Sequence, residues 1–87
     1  MKYSVRFTET ARAQLRAIDQ PQALRILRKV TELLEDPYGN HTTALVGSDD
    51  SERRLRVGDY RVVYTVLHDV LCVRVVRIGH RSGVYKK

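Results

Sequence analysis

Four arginines spread over three hydrophobic segments, Arg54, Arg56, Arg61 and Arg74, are the residues of this chain best suited to chemistry. A guanidinium presents paired N–H donors that match two oxygens of a phosphate or carboxylate, and it stays charged at any relevant pH. Shortly downstream come His80, Arg81 and Tyr85. An imidazole titrates near neutrality, a guanidinium offsets charge that develops in a reaction, and a phenol ring stacks on a nucleic-acid base. Together they suit RNA. Each also has a plainer use, His80 as a packed or surface residue and Tyr85 as cover for a sheet edge. Cys72 is the only cysteine, which excludes an internal disulfide and a cysteine-based zinc cluster and leaves it as a small apolar strand residue. His41 carries no such signal.

Charge is unevenly placed. Residues 1–52 carry 7 basic and 8 acidic side chains, whereas residues 53–87 carry 9 basic and 2 acidic, so the whole excess behind the net charge of +6 lies in the last 35 residues. A polyanionic partner is the leading expectation, with solubility the bland alternative.

The elements that must position these residues follow from periodicity. Tyr3, Val5 and Phe7 alternate with polar residues, which predicts a first strand. Thr8 can cap a helix whose face carries Ala11, Leu15 and Ile18. Asp19 with Gln22 has the form of a capping box, and Pro21 is tolerated in a first helical turn. A second helix with a stripe of Leu24, Ile26, Leu27, Val30, Leu33 and Leu34 ends before Pro37. Residues 37–51 have the composition of an ordered connector. Three further strands form a meander over Glu52–Val57, Tyr60–Leu67 and Val70–Ile78, joined by Gly58-Asp59 and by His68-Asp69.

Two-residue turns define a register. Val57 faces Tyr60, Arg56 faces Arg61, Leu55 faces Val62, Arg54 faces Val63 and Arg53 faces Tyr64. In the second hairpin Val66 faces Leu71, Tyr64 faces Val73, Val63 faces Arg74, Val62 faces Val75 and Arg61 faces Val76. Opposed residues share a sheet face. One face then gathers Leu55, Val57, Tyr60, Val62, Tyr64, Val66, Leu71, Val73 and Val75 as a core, and the other gathers Arg54, Arg56, Arg61 and Arg74. Like charges opposed across a hairpin weaken it by a few tenths to about 1 kcal/mol, and a bridging phosphate reverses the sign. The alternative is a solvated face on which arginine stems cover apolar atoms.

The expected architecture is α+β, a single domain over residues 1–87 in the order β-α-α-β-β-β, with a helical hairpin on one face of a small antiparallel sheet. A chain of this size buries only about 60–65% of its unfolded surface, which excludes a Rossmann or barrel enzyme. With 43% hydrophobic residues it is not disordered. No apolar run approaches the ~20 residues of a membrane helix, and the N-terminus lacks the apolar core of a signal peptide. A cytoplasmic, reducing address is the expectation, without contact with a membrane.

The string Arg54-Leu55-Arg56-Val57-Gly58-Asp59-Tyr60-Arg61-Val62-Val63-Tyr64, followed by Arg77-Ile78-Gly79-His80-Arg81 and by Val84-Tyr85, resembles the RelE/ParE toxin superfamily. The Asp36-Pro37 close of the second helix and the Leu45-Val46-Gly47 step resemble it too, and the likeness spans nearly the whole chain. The resemblance implies the toxin of a bacterial type II toxin–antitoxin pair, with a cognate antitoxin as partner in a hetero-oligomer. Within the superfamily it favours the RelE branch, whose members cut messenger RNA in the ribosomal A site without metal or other cofactor.

In that reaction the ribose 2′-OH attacks the adjacent phosphorus, leaving a 2′,3′-cyclic phosphate and a 5′-OH, so a base, a charge clamp and an acid are needed. By resemblance Arg61 stabilises the phosphate, Arg81 serves the leaving group and Tyr85 orients and stacks the substrate, with Arg54 and Arg56 as further basic positions. The best-known ribosome-dependent members carry lysines where this chain has Glu52 and Arg54. Arginine is a poor proton acceptor. Either Arg54 acts only electrostatically or Glu52 takes the proton, with His80 then the acid. The expected RNA-binding set is Arg54, Arg56, Arg61, Arg74 and Arg81. The alternatives are a ParE-like inhibitor of DNA gyrase that cuts nothing, and a plain RNA-binding module of the same fold.

Overall fold

The computed structural model describes residues 2–39, 41–44 and 52–80. Its elements are β1 (Ser4–Phe7), α1 (Glu9–Ala17), α2 (Gln20–Leu33), β2 (Thr42–Ala44), β3 (Glu52–Val57), β4 (Tyr60–Leu67) and β5 (Cys72–His80). The fold is α+β. The sheet has five strands in the order β1-β5-β4-β3-β2, with β1 parallel to β5 and every other pair antiparallel. The sheet is therefore mixed, and the connector contributes one edge strand beyond the four expected. The Leu45-Val46-Gly47 step, Arg81, Val84 and Tyr85 lie outside the described residues. Among the described residues no helix is long and apolar enough to cross a membrane.

Both helices pack on one sheet face. Ala11 from α1 and Ile26, Val30 and Leu33 from α2 join Leu55, Val57, Val62, Tyr64, Val66, Val73, Val75 and Ile78 in one apolar cluster. Leu24, expected in the stripe, is 52% exposed, because the buried ridge of α2 runs through Ile26, Val30 and Leu33 instead. The expected capping box is absent. Asp19 is the N-cap of α2 but makes no side-chain cap bond, and Gln22 Oε1 accepts from Arg25 Nη1 at 3.1 Å.

The first hairpin has the expected register in full. The second does not. A two-residue I′ turn needs positive φ at both central positions, which His68-Asp69 without glycine resists. The chain forms a longer turn through Leu71, which takes the positive φ of 50° and donates from its N–H to the His68 carbonyl at 3.3 Å. Val70 and Leu71 consequently leave the sheet, at 67% and 45% exposure, so Leu71 is not a core residue. Val66 meets Val73 and Tyr64 meets Val75, and a bulge then skips Val76, so that Val63 meets Arg77, Val62 meets Ile78 and Arg61 meets Gly79.

The bulge is held by α1. Thr8 Oγ1 donates to the Val76 carbonyl at 2.7 Å while accepting from the Ala11 N–H at 3.1 Å as helix N-cap. Gln14 Oε1 accepts from the Ile78 N–H at 2.6 Å, just past the bulge. One hydroxyl thus starts a helix and satisfies the carbonyl of an unpaired strand residue. Thr8→Val removes both bonds at nearly constant volume. The expected loss is about 2 kcal/mol, a melting point lower by roughly 10 °C in a calorimetric comparison with the parent.

Tyr64 is the largest fully buried side chain, and its hydroxyl donates to the Pro37 carbonyl, tying β4 to the end of the helical layer. Burial pushes the phenol above its usual value against the lowering influence of Arg53 and Thr42. The protonated phenol therefore binds its proton more tightly in the folded than in the unfolded chain. The associated stability is complete below the free phenol value of ~10 and is lost as pH rises above it. Tyr64→Phe is expected to cost about 1–2 kcal/mol at neutral pH and to flatten the alkaline limb of a stability-versus-pH profile measured by urea melts.

Candidate nucleic-acid interface

The sheet face opposite the helices is assembled from the outward positions of four strands. In β3 these are Glu52, Arg54 and Arg56, in β4 Arg61, Val63 and Thr65, in β5 Cys72, Arg74, Arg77 and Gly79, and in β1 Ser4 and Arg6. Among the described residues, six arginines and one carboxylate therefore share this surface.

Its centre is Val63. Arg54 on β3 and Arg77 on β5 are its direct neighbours across the ladder, and Arg61 lies two residues along β4 opposite Arg56. Val63 faces away from the helices yet is 0% exposed. Long arginine stems on both flanking strands are suited to closing over such a residue while their heads remain in water. Arg54, Arg61 and Arg77 are half-buried and Arg56 is exposed. With strands ~4.8 Å apart, Arg54 and Arg77 are anchored about 10 Å from each other, a span that two guanidiniums can close around one phosphate.

The single carboxylate among the described residues of this face engages its basic neighbour. Glu52 Oε1 lies 3.8 Å from Arg77 Nη2, with the glutamate side chain 18% exposed. Arg53, by contrast, is one residue out of phase and on the helix side. Its Nη2 donates to Thr42 Oγ1 at 2.9 Å, and its guanidinium sits 4.8 Å over the Tyr38 ring, which fixes it as a structural arginine.

The structure thus brings Arg54, Arg56, Arg61 and Glu52 onto one surface. Arg74 shares that surface but lies farther along, beside Arg6 and level with Thr65, not beside Val63 as the shorter turn implied. His80 is elsewhere. It pairs with Tyr60 on the helix side, its ring edge-on to the Tyr60 ring at 5.4 Å. Glu52 pairs with Thr65, five positions along β4 from Tyr60, so the carboxylate and the imidazole are separated by about 17 Å of strand and by the sheet itself. They do not form an acid–base couple across one phosphate. Arg81 and Tyr85 fall outside the described residues.

Arg77 and Arg6 are the site residues that strand reading missed. A signal for Arg77 exists. Val75 and Val76 are adjacent apolar residues, and strict alternation after Val73 and Val75 would drive Arg77 into the core. An extra residue in the strand is the physical remedy, and Val76 supplies it.

The family model for the ParE toxin of the parDE type II toxin–antitoxin system matches residues 5–85. Among solved structures, the chain is similar to the RelBE2 toxin–antitoxin complex of Mycobacterium tuberculosis, at 26% identity over 93% of this chain and 100% of that one with a TM-score of 0.83. It is also similar to the intact Escherichia coli RelBE toxin–antitoxin complex, at 28% identity over 90% of this chain and 95% of that one with a TM-score of 0.77. The isolated Escherichia coli RelE toxin matches at 25% identity over 95% of this chain and 90% of that one, with a TM-score of 0.78. With the matched family model covering both helices and every described strand but the first residue of β1, the chain belongs to the ParE toxin family and is a type II toxin of the RelE/ParE superfamily.

Proposed function

We propose that this toxin is an endoribonuclease that cuts messenger RNA in the ribosomal A site, inhibits translation, and is held inactive by a cognate antitoxin. The observation that carries the proposal is the convergence of Arg54, Arg56, Arg61 and Arg77 around Val63 on the sheet face opposite the helices, with Glu52 on the same face. Arg56 and Arg61 are directly opposed, and a phosphodiester between them accepts their hydrogen bonds and screens their repulsion.

The chemistry is a transesterification. The 2′-oxygen forms a bond to phosphorus as the bond to the 5′-oxygen breaks, giving a 2′,3′-cyclic phosphate and a 5′-OH. Glu52 takes the 2′ proton. Arg54, Arg61 and Arg77 stabilise the extra negative charge of the pentacoordinate phosphorus, where it exceeds that of the ground state. His80 plays no part in this scheme. Arg81 offsets charge on the departing 5′-oxygen, which receives its proton from solvent, and Tyr85 stacks on the base.

Membership of the ParE toxin family favours a second reading, the inhibition of DNA gyrase without cleavage that the resemblance to ParE implies. Primer extension on translating ribosomes exposed to the purified chain, alongside a gyrase supercoiling assay, distinguishes them. New message ends within codons are expected. Intact message with blocked supercoiling supports the second reading.

A further inference from the structure

The arginine surface does not stop at Val63. At the β1 edge a groove of about 540 Å³ is lined by Arg6, Arg74 and Arg12 together with Ser4, Val5, Phe7 and Thr8, and no carboxylate lines it among the described residues. Arg6 and Arg74 are direct partners in the parallel β1–β5 ladder, so they repeat the crowding of Arg56 and Arg61 at the other end of the same face. Arg12 reaches the groove from the first turns of α1. All three are exposed. The two crowded pairs are separated by four residues along β4 and by two strand spacings, about 16 Å in all.

We propose that this groove is a second phosphate subsite, in which Arg6, Arg12 and Arg74 hold the RNA backbone several nucleotides away from the phosphate bound between Arg56 and Arg61. It rests on the RNA-cleaving function proposed above and adds Arg6 and Arg12 to the RNA-contacting residues. The chemistry selects a phosphodiester chain: three guanidiniums converge from three elements, and the arginines of the sheet face lead back from them to the first site. An RNA strand that spans both sites binds with an effective concentration that a shorter one lacks.

The test is fluorescence anisotropy of the full chain with labelled oligouridines of three and ten nucleotides, titrated over a range of salt. The two phosphodiesters of the trinucleotide lie one nucleotide apart, too close together to occupy both sites across about 16 Å, whereas the nine of the ten-mer can. The parent is expected to bind the ten-mer at least tenfold tighter than the trimer. In Arg6→Gln/Arg12→Gln that gain is expected to fall below threefold, and the slope of log affinity against log salt for the ten-mer to become shallower by about 1.4, or ~0.7 per lost contact. Arg6→Lys/Arg12→Lys keeps the charge and is expected to keep most of the slope, which separates lost phosphate contacts from a disturbed β1 edge. Unchanged length gain and slope in the glutamine variant, with binding lost in Arg61→Gln, overturn the subsite and leave the proposed function standing. So does displacement of RNA by oligoglutamate from the parent and the glutamine variant alike with an undiminished length gain. Absence of salt-sensitive binding of either oligouridine by the parent overturns both.

Discussion

Arg61→Gln is expected to lower message cleavage on translating ribosomes by at least about 100-fold, the loss typical of removing one preorganised donor from a developing oxyanion. Arg61 stands at the crossing of two relationships, opposite Arg56 across the hairpin and two residues along β4 from Val63, the floor between Arg54 and Arg77. Glutamine keeps a donor and much of the stem but loses the charge and the fork. Removing one of two opposed like charges also relieves repulsion worth a few tenths to about 1 kcal/mol, so a melting point measured beside the rate separates chemistry from folding. A cleavage rate within threefold of the parent, measured by primer extension, contradicts the role given to Arg61. A fall in activity that tracks a fall in melting point instead points to a structural residue.

Glu52→Gln is expected to cost cleavage about 100-fold or more, since it removes the carboxylate proposed as the proton acceptor while retaining its shape. It is the one acidic side chain among the described residues on the arginine face, and its 3.8 Å contact with Arg77 holds it there. Because that ion pair is partly open to water, its loss should change stability by less than ~1 kcal/mol, so activity and folding separate cleanly. Glu52→Asp is expected to recover part of the rate. Full cleavage by the glutamine variant removes Glu52 from the chemistry and leaves an electrostatic mechanism carried by arginines alone.

Much of this surface was legible in the sequence wherever local rules were sufficient. Gly58 takes a φ of 58° in the tight turn after β3, and a two-residue loop permits one register, so the Arg56–Arg61 opposition follows from the turn. Thr8 caps α1 as its side-chain chemistry requires. Failures arose where a distant element decides. The bulge at Val76 depends on Thr8, 68 residues away, to satisfy its carbonyl, and Leu71 adopts a left-handed conformation that its own side chain does not favour. Those two features together moved Arg77 beside Val63 and Arg74 toward β1. The parallel pairing of β1 with β5 is also a long-range choice, and with it came Arg6 as a neighbour of Arg74. His80 lies beyond the expected end of the last strand, and because β5 continues to it past the bulge, it falls on the helix side opposite Tyr60.

The claim on which this account stands is that RNA phosphates lie against the open arginine face. Arginine footprinting tests it directly: the chain is treated with phenylglyoxal with and without bound single-stranded RNA, and adducts are quantified by mass spectrometry. The expected result is protection of Arg54, Arg56, Arg61 and Arg77 by RNA, while Arg16 and Arg28, exposed on the helices, react as before. Equal reaction of the open-face arginines in both conditions, or protection confined to the helices, contradicts it.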